Sequence, residues 1–147
     1  MDIKVKRIDS TIPLPEYDGR AACFDLICRE SVTIQPKEIK LVPVNIVVKI
    51  PDGYALLVFV RSSTPMRKGL ILANSVGIVD PFYCGDKDEV LVEFWNITDN
   101  PVEVKREEVL AQGMIIKHEP VVWKEVEAMG EQGVGGYNTD WFENQKE

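Results

Sequence analysis

The stretch Asn74-Ser75-Val76-Gly77-Ile78-Val79-Asp80-Pro81-Phe82-Tyr83 is the part of the chain on which the interpretation of the rest depends. Its β-branched residues favour extended backbone, and Gly77 allows a ligand or another backbone to come close. Pro81 bends the chain. We therefore predict a hairpin that holds the Asp80 carboxylate and the Tyr83 ring at the rim of a pocket. An Asp before a Pro at the end of an apolar run is also typical of an ordinary turn, and that interpretation stays open.

The length and composition of the chain indicate a single globular domain. With 147 residues, of which 45% are hydrophobic, the chain is long enough to form a core without disulfides or metals. No apolar run approaches the length of a membrane span. Residues 1–7 alternate apolar with charged side chains, which is typical of a strand and not of a signal peptide. We therefore expect a cytoplasmic protein without a membrane partner.

The charge and the cysteines argue against several classes of protein. A formal net charge of −7 and the lack of a basic stripe argue against a nucleic-acid polymer as partner. Cys23, Cys28 and Cys84 form no CxxC pair, so we expect reduced thiols and not a zinc site. His118 alone cannot supply a histidine-rich metal cage, and we expect it at the surface. If the ligand carries phosphate, a divalent cation is expected to help bind it.

Nearly every segment of the chain has the pattern of a short strand or a turn. One short helix is predicted at 62–69, where Pro65 suits the first turn and Gly69 suits the end. Strands are predicted at 3–8, 21–28, 31–34, 41–50, 54–61, 89–97, 102–104, 109–117 and 121–127. Many short strands separated by turns indicate an all-β jelly roll or distorted β-barrel. We assign residues 1–128 to this domain and 129–147 to a flexible, glycine-rich C-terminal tail.

Three further segments carry polar side chains at positions that suit chemistry. Asp25 lies inside a predicted strand, and a buried carboxylate needs a cation, a donor or a ligand; an ion pair with an arginine is the alternative. Ser62 and Ser63 follow Arg61 where a strand turns into the helix, so they suit either an anion site or plain N-capping. Gln112, near the start of a strand, suits a site or a polar sheet edge.

The segment from Gly133 to Thr139 combines three glycines with the ring of Tyr137 and the Thr139 hydroxyl. Backbone N–H groups suit a phosphate and an aromatic ring suits a base, so the tail is expected to fold over a ligand. A disordered terminus is the alternative.

Taken in order along the chain, these segments resemble the five motifs of the trimeric deoxyuridine triphosphatase (dUTP diphosphatase) family. The second and third motifs match well, whereas the fourth and fifth are eroded. The matching residues are 21–26, 61–63 with 69–70, 77–80 with Tyr83 and Gly85, 110–112, and 135–139. Residues 86–89 form an extension that resembles that of one bacterial subgroup.

The resemblance implies a jelly roll that forms a homotrimer with three active sites at subunit interfaces, and hydrolysis of dUTP to dUMP and pyrophosphate. Asp80 would orient and activate the attacking water, and Gln112 would hold this water and the phosphates. Tyr83 would pack under the deoxyribose and leave no room for a 2′-hydroxyl. Asp25 would contact a Mg²⁺ ion through water. The implied substrate-binding residues are Arg61, Ser62, Ser63, Asn74, Gly77, Ile78, Tyr83, Tyr137 and Thr139.

The chain departs from the family pattern at several positions. Val134 and Gln132 stand where an arginine is usual before the last motif, and Val109 stands where another precedes the fourth. Cys23 replaces a glycine of the first motif. An arginine clamp on phosphate is bidentate and not easily replaced. We therefore expect weaker capture of substrate by the tail, with the hydrolytic centre retained.

Two rival functions stay open. A dCTP deaminase of the same fold would use a glutamate in the strand after the hairpin, where Glu93 lies. A non-catalytic relative would keep the barrel and bind a nucleotide or a protein regulator, which the eroded motifs favour. Release of ammonia from dCTP, or of pyrophosphate from dUTP with Mg²⁺, separates these possibilities.

Overall fold

A computed structural model describes residues 1–17, 19–131, 133 and 139–143 of the protein, and this part is almost entirely β-structure. The elements, in chain order, are β1 (Lys4–Arg7), β2 (Phe24–Ile27), β3 (Val32–Ile34), β4 (Ile39–Pro43), β5 (Ile46–Lys49), β6 (Tyr54–Val60), α1 (Thr64–Lys68), β7 (Leu70–Leu72), β8 (Gly77–Val79), β9 (Leu91–Asn96), β10 (Val102–Val104), β11 (Val109–Lys117) and α2 (Thr139–Glu143). The predicted all-β class is confirmed.

The strands form antiparallel sheets in the manner of a jelly roll. One sheet has four strands in the order β2-β11-β6-β8, and a second has three in the order β4-β9-β7. Two further pairs, β1–β5 and β10–β3, complete the arrangement. The strand β11 is central to the first sheet because it pairs with β2 on one side and with β6 on the other.

The core lies between these sheets and consists of the inward-facing residues of alternating strands. In β9 every second residue is buried, so that Val92 and Phe94 point inward with Asn96, while Leu91 and Trp95 point out. The largest fully buried side chains include Phe94, Ile12, Leu26, Ile34, Ile50, Leu56 and Leu70. Cys28 belongs to this core, and burial raises the pKa of its thiol to about 12. All three cysteines are free, as predicted.

Helix α1 confirms the short helix predicted at 62–69. It spans Thr64–Lys68, has its proline in the first turn, and ends at Gly69, whose φ of 64° is left-handed. A second five-residue helix, α2, lies inside the tail, so the prediction of one helix missed it. Within the described residues, neither helix is long and apolar enough to cross a membrane.

Two predicted strands are wrong. Residues 41–50 do not form one strand, because Asn45 adopts φ 67° and separates β4 from β5, which join different partners. Residues 121–127 form no strand, although their side chains alternate. Val122 and Trp123 are 95% and 91% exposed, so this segment has no neighbouring strand in the described chain to pair with.

The predicted hairpin at 74–83 is also wrong. The strand before this segment, β7, pairs with β9, whereas the strand inside it, β8, pairs with β6. The Ala73 amide donates to the Glu93 carbonyl at 2.9 Å, so the segment leaves from the three-stranded sheet and enters the four-stranded one. The segment therefore bridges two sheets and is not folded onto itself.

Candidate active site

The Asp80 carboxylate lies directly after β8, at the mouth of a small cavity. A turn follows, in which the Tyr83 amide donates to the Asp80 carbonyl at 3.1 Å. The cavity has a volume of about 250 Å³ and is lined by Ile78, Val79, Asp80, Phe82, Tyr83, Val90 and Leu91. Asp80 and Ile78 are both exposed, Ile78 by 67%. We call this the Asp80 cavity. The prediction that Asp80 and Tyr83 share the rim of a pocket is confirmed, although the backbone that carries them is not a hairpin.

The Tyr83 ring is fixed at its far end. Its hydroxyl donates to the main-chain carbonyl of Glu89 at 3.1 Å, and the ring is 38% exposed toward the cavity. The residues between them, 84–88, form a compact loop in which the Gly85 amide donates to the Asp88 carboxylate at 2.7 Å. Lys6 of β1 donates to the Asp86 carboxylate at 2.9 Å, which lowers the pKa of Asp86. The predicted extension is therefore anchored at both ends and to β1.

An ion pair that sequence reasoning missed lies behind the Asp80 cavity. The Arg29 guanidinium donates to both oxygens of Glu89, at 2.9 and 3.0 Å, and the Asn45 amide donates to the same carboxylate at 2.8 Å. The hydrogen bonds that Arg29 donates to Glu89 raise the pKa of Arg29. Arg29 and Glu89 are 60 positions apart, so no local pattern links them. The only available signal is an acidic residue entering an apolar strand, which calls for a buried partner.

A second group of predicted site residues lies at the other end of the four-stranded sheet. Asp25 of β2 is directly opposite Gln112 of β11, which puts their side chains on one face. The Arg61 Nε lies 3.5 Å from Asp25 Oδ1, and Gln112 Nε2 donates to the Val60 carbonyl at 3.3 Å. We call Asp25, Arg61 and Gln112, with the adjacent Ser62 and Ser63, the Arg61 cluster.

The expectation that the Asp25 carboxylate is buried is wrong, whereas the alternative of an ion pair with an arginine is confirmed. The Asp25 and Arg61 side chains are each 43% exposed, so water reaches both groups and the pair is weak. An exposed carboxylate of this kind fits a Mg²⁺ ion contacted through water, because oxygen ligands and retained waters are what magnesium prefers. No group of three metal-ligating side chains occurs among the residues the structure describes.

The start of α1 is held against β11 next to Gln112. The Thr64 hydroxyl donates to the Leu110 carbonyl at 2.7 Å, and the Arg61 amide donates to the same oxygen at 3.0 Å. Ser63 occupies the N-cap but makes no side-chain cap hydrogen bond, so plain capping does not account for its hydroxyl. Ser62 is exposed. Both hydroxyls are therefore available to a ligand at this end of the sheet.

The two groups do not meet within one copy of the chain. Val79 is opposite Leu56 near the beginning of β6, whereas Arg61 follows its end. At about 3.3 Å per residue, the distance along the strand from Leu56 to Arg61 is about 17 Å.

Four other residues were predicted to belong to the site: Asn74, Gly77, Thr139 and Tyr137. Asn74 is exposed in the turn before β8, where its carbonyl accepts from the Val76 amide at 2.7 Å. Gly77 packs against Val58, whose Cβ would lie 3.0 Å from an added Cβ, so only glycine fits without a shift. Thr139 is exposed at the start of α2. Tyr137 lies outside the described residues.

Two other features lie away from both groups. Glu93, the acid that a deaminase would use, is in the middle of β9 opposite Leu41 and does not line the Asp80 cavity. A larger apolar cavity of about 580 Å³ lies beside β1, between Ile3, Phe24 and Ile115, and contains none of the predicted site residues. Apart from Tyr17, the side chains of its lining are apolar.

Comparison with known proteins gives matches over most of the chain. The dUTPase family model matches residues 9–138. The deoxyuridine 5′-triphosphate nucleotidohydrolase of Dictyoglomus turgidum is 33% identical over 141 residues, covering 91% of this chain and 94% of the relative. The SPbeta prophage-derived deoxyuridine 5′-triphosphate nucleotidohydrolase YosS of Bacillus subtilis is 33% identical, covering 95% and 97%.

Solved structures of dUTPases have a similar fold. The dUTPase of Streptococcus mutans superposes with a TM-score of 0.73 at 29% identity, covering 81% of this chain and 98% of that one. The dUTPase of phage phi11 of S. aureus superposes with a TM-score of 0.79 at 19% identity, covering 90% and 100%. Another structure of that phage enzyme, with a TM-score of 0.77 at 20% identity and coverage of 88% and 99%, concerns the coordination of a structural Mg(II) ion.

Proposed function

Because this chain belongs to the dUTPase family, we propose that it hydrolyses dUTP to dUMP and pyrophosphate and that Asp80 is its catalytic carboxylate. One observation carries the assignment to these residues. Asp80 and Tyr83 line a single cavity at the end of β8, with the exposed Ile78 beside them. A carboxylate for the water and a ring for the sugar are thus together in one place.

In the proposed reaction, the Asp80 carboxylate accepts a hydrogen bond from a water molecule and aligns it with the α-phosphorus of dUTP. A bond forms between the water oxygen and the α-phosphorus, and the bond from that phosphorus to the α,β-bridging oxygen breaks. The proton of the water passes to Asp80, and pyrophosphate leaves. Alignment and proton removal of this kind are the main contributions expected from the protein.

Tyr83 and the segment 74–78 are proposed to give the preference for deoxyuridine. The Tyr83 ring would lie under the deoxyribose, where a 2′-hydroxyl would collide with it. The backbone of 74–78, including Gly77 and Ile78, would pair with the uracil edge, helped by the Asn74 side chain. A site that pairs its buried polar groups with one base rejects an analogue that leaves them unpaired.

The Arg61 cluster is proposed to hold the triphosphate. Arg61 supplies a positive charge, while Ser62, Ser63 and Gln112 supply hydrogen bonds to phosphate oxygens and to the attacking water. A Mg²⁺ ion on the triphosphate, contacted through water by Asp25, would neutralise charge. The 43% exposure of Asp25 leaves room for such a water.

We further propose that the enzyme is a homotrimer whose sites combine the Asp80 cavity of one copy with the Arg61 cluster of another. The separation of the two groups along β6 supports shared sites, because neither group is complete alone. The exposed apolar segment around Val122 and Trp123 supports contact between copies. The tail, 129–147, with Tyr137 and Thr139, would then close over the bound nucleotide.

A panel of deoxynucleoside triphosphates, assayed for both pyrophosphate and ammonia, tests the proposed activity. We expect pyrophosphate from dUTP in the presence of Mg²⁺ and no ammonia from dCTP. Replacing Asp80→Asn removes the proton acceptor and is expected to lower kcat by about 10²- to 10⁴-fold. The control is Asp52→Asn, because Asp52 is equally exposed but lies in the turn before β6. Ammonia from dCTP without pyrophosphate from dUTP would establish the deaminase instead.

A further inference from the structure

We propose that the ion pair between Arg29 and Glu89 is a positioning device for sugar discrimination, which holds the Tyr83 ring against the space that a 2′-hydroxyl would need. This inference rests on the proposed function, since it concerns how the same site distinguishes deoxyribose from ribose. In this proposal, Arg29 and Glu89 contact neither the substrate nor the attacking water. They act through Tyr83 and are positioning residues.

The link between the ion pair and the ring is the main chain of Glu89. The Tyr83 hydroxyl donates to the Glu89 carbonyl at 3.1 Å, and the ring forms part of the wall of the Asp80 cavity. A tyrosine held at its hydroxyl end by one acceptor takes its orientation from the position of that acceptor. The ring is therefore only as well placed as the Glu89 peptide.

The side chain of Glu89 fixes that peptide from two other parts of the fold. Its carboxylate, 10% exposed, accepts both arms of the Arg29 guanidinium and the Asn45 amide. Two parallel charge-assisted hydrogen bonds fix geometry as well as charge. The Val90 amide, next in the chain, donates to the Ile46 carbonyl at 2.9 Å. The Glu89 carbonyl thus has little freedom to move.

Arg29 is itself anchored at its backbone. Its amide donates to the Pro43 carbonyl at 2.8 Å, and its carbonyl accepts from the Arg106 guanidinium at 2.9 Å. Because the guanidinium is planar and forked, only an arginine can meet both Glu89 oxygens at once. Lysine would retain the charge but make a single point contact, so it should restore the positioning only in part.

The test compares kcat/KM for dUTP with kcat/KM for UTP in purified full-length variants. Tyr83→Phe removes the hydroxyl and is expected to lower the dUTP to UTP ratio about tenfold, mostly by raising the rate with UTP. Arg29→Met is expected to lower the ratio by a similar factor, and Arg29→Lys by less. The double variant with Tyr83→Phe and Arg29→Met should lose no more than either single variant, because both break the same link.

The control is Lys68→Met, which breaks another partly buried ion pair, the one with Glu108 at 2.7 Å, and neither of its residues lines the Asp80 cavity. If the role of Arg29 is merely structural, its loss would lower kcat/KM for dUTP and for UTP by the same factor and leave their ratio unchanged. The same result is expected for the control. If Arg29→Met does not fold, Glu89→Gln, which keeps the shape of the side chain, takes its place.

The outcomes separate this inference from the function on which it rests. Failure of the unaltered protein to release pyrophosphate from dUTP would refute the proposed function. A normal preference for dUTP that survives Tyr83→Phe, or that survives loss of the Arg29–Glu89 pair, would overturn the positioning role alone.

Discussion

Asn45 connects three separate parts of the molecule through one buried residue. Its backbone adopts φ 67°, a left-handed conformation that asparagine tolerates better than most residues. Its side chain accepts from the Asp9 amide at 2.7 Å and donates to the Asp9 carbonyl at 3.0 Å. Its own amide donates to Glu89 behind the Asp80 cavity. A single residue thus separates β4 from β5, bonds to Asp9 through its side chain, and bonds to Glu89 through its main-chain amide.

Replacing Asn45→Ala is expected to lower the free energy of unfolding by about 2–4 kcal/mol, because it removes two hydrogen bonds and leaves at positive φ a residue that tolerates this conformation less well than asparagine does. Asn45→Gly removes the same hydrogen bonds without the backbone strain and should cost about 1 kcal/mol less. Urea unfolding of the two variants and of the unaltered protein measures the cost of losing the hydrogen bonds and the cost of the backbone strain. Equal stability of the alanine and glycine variants would show that the backbone is not strained.

At the scale of single elements, helix α1 depends on the glycine that ends it. The Gly69 amide donates to the Pro65 carbonyl at 2.9 Å with φ 64°. A Cβ added at Gly69 would lie 2.1 Å from Thr98 Cγ2. Thr98 cannot turn away freely, since its hydroxyl bonds to Asn96 at 2.8 Å and to the Asn100 carbonyl at 2.9 Å. The end of α1 is therefore shaped by both backbone and packing.

Gly69→Ala and Gly53→Ala separate these two effects. Gly53 has φ 80° but no atom within 4 Å of an added Cβ, so its replacement is expected to cost only the backbone strain, about 1 kcal/mol. Gly69→Ala should lower the free energy of unfolding by about 1–3 kcal/mol more than Gly53→Ala does, because the Thr98 methyl is displaced. Thermal unfolding of both variants gives the comparison. Similar losses at both positions would mean that Thr98 relaxes without cost.

The sequence could predict the elements that depend on local patterns, but not those that depend on contacts between distant parts of the chain. The strand predicted at 109–117 was found as β11 with both ends correct, and this segment has a partner on each side, β2 and β6. The alternating segment 121–127 failed because a strand needs a neighbour, which a pattern does not reveal. Asp80 and Tyr83 lie within four residues, so a local motif found them. The Arg29–Glu89 pair depends on packing across the fold, and no local motif could find it.

At the scale of the whole molecule, the most informative feature is the separation of the Asp80 cavity from the Arg61 cluster along β6. This separation supports the proposed sharing of sites between copies of the chain. Closed rotational symmetry is the usual arrangement of identical chains. In the proposed homotrimer, the subunit interfaces would be part of the active sites.

Complementation between two inactive variants tests this arrangement. Asp80→Asn damages only the cavity and Gln112→Ala only the cluster. If sites are shared, subunits mixed after unfolding and refolding should regain activity, approaching about a quarter of the normal value for random mixing, since one site in four is intact. Each variant refolded alone is the control. Mixtures as inactive as their parents would show that every site is contained in one chain.

The segment 74–83 leaves the three-stranded sheet at Ala73 and joins the four-stranded sheet at β8. Any sliding of one sheet over the other, as on gentle heating, is therefore transmitted to the carboxylate at its end. Because aligning a water molecule tolerates much smaller displacements than hydrogen-bonded strands do, turnover would fade at temperatures where the strands are still paired. The temperature range over which the enzyme works would thus be set by how firmly its two sheets are packed together.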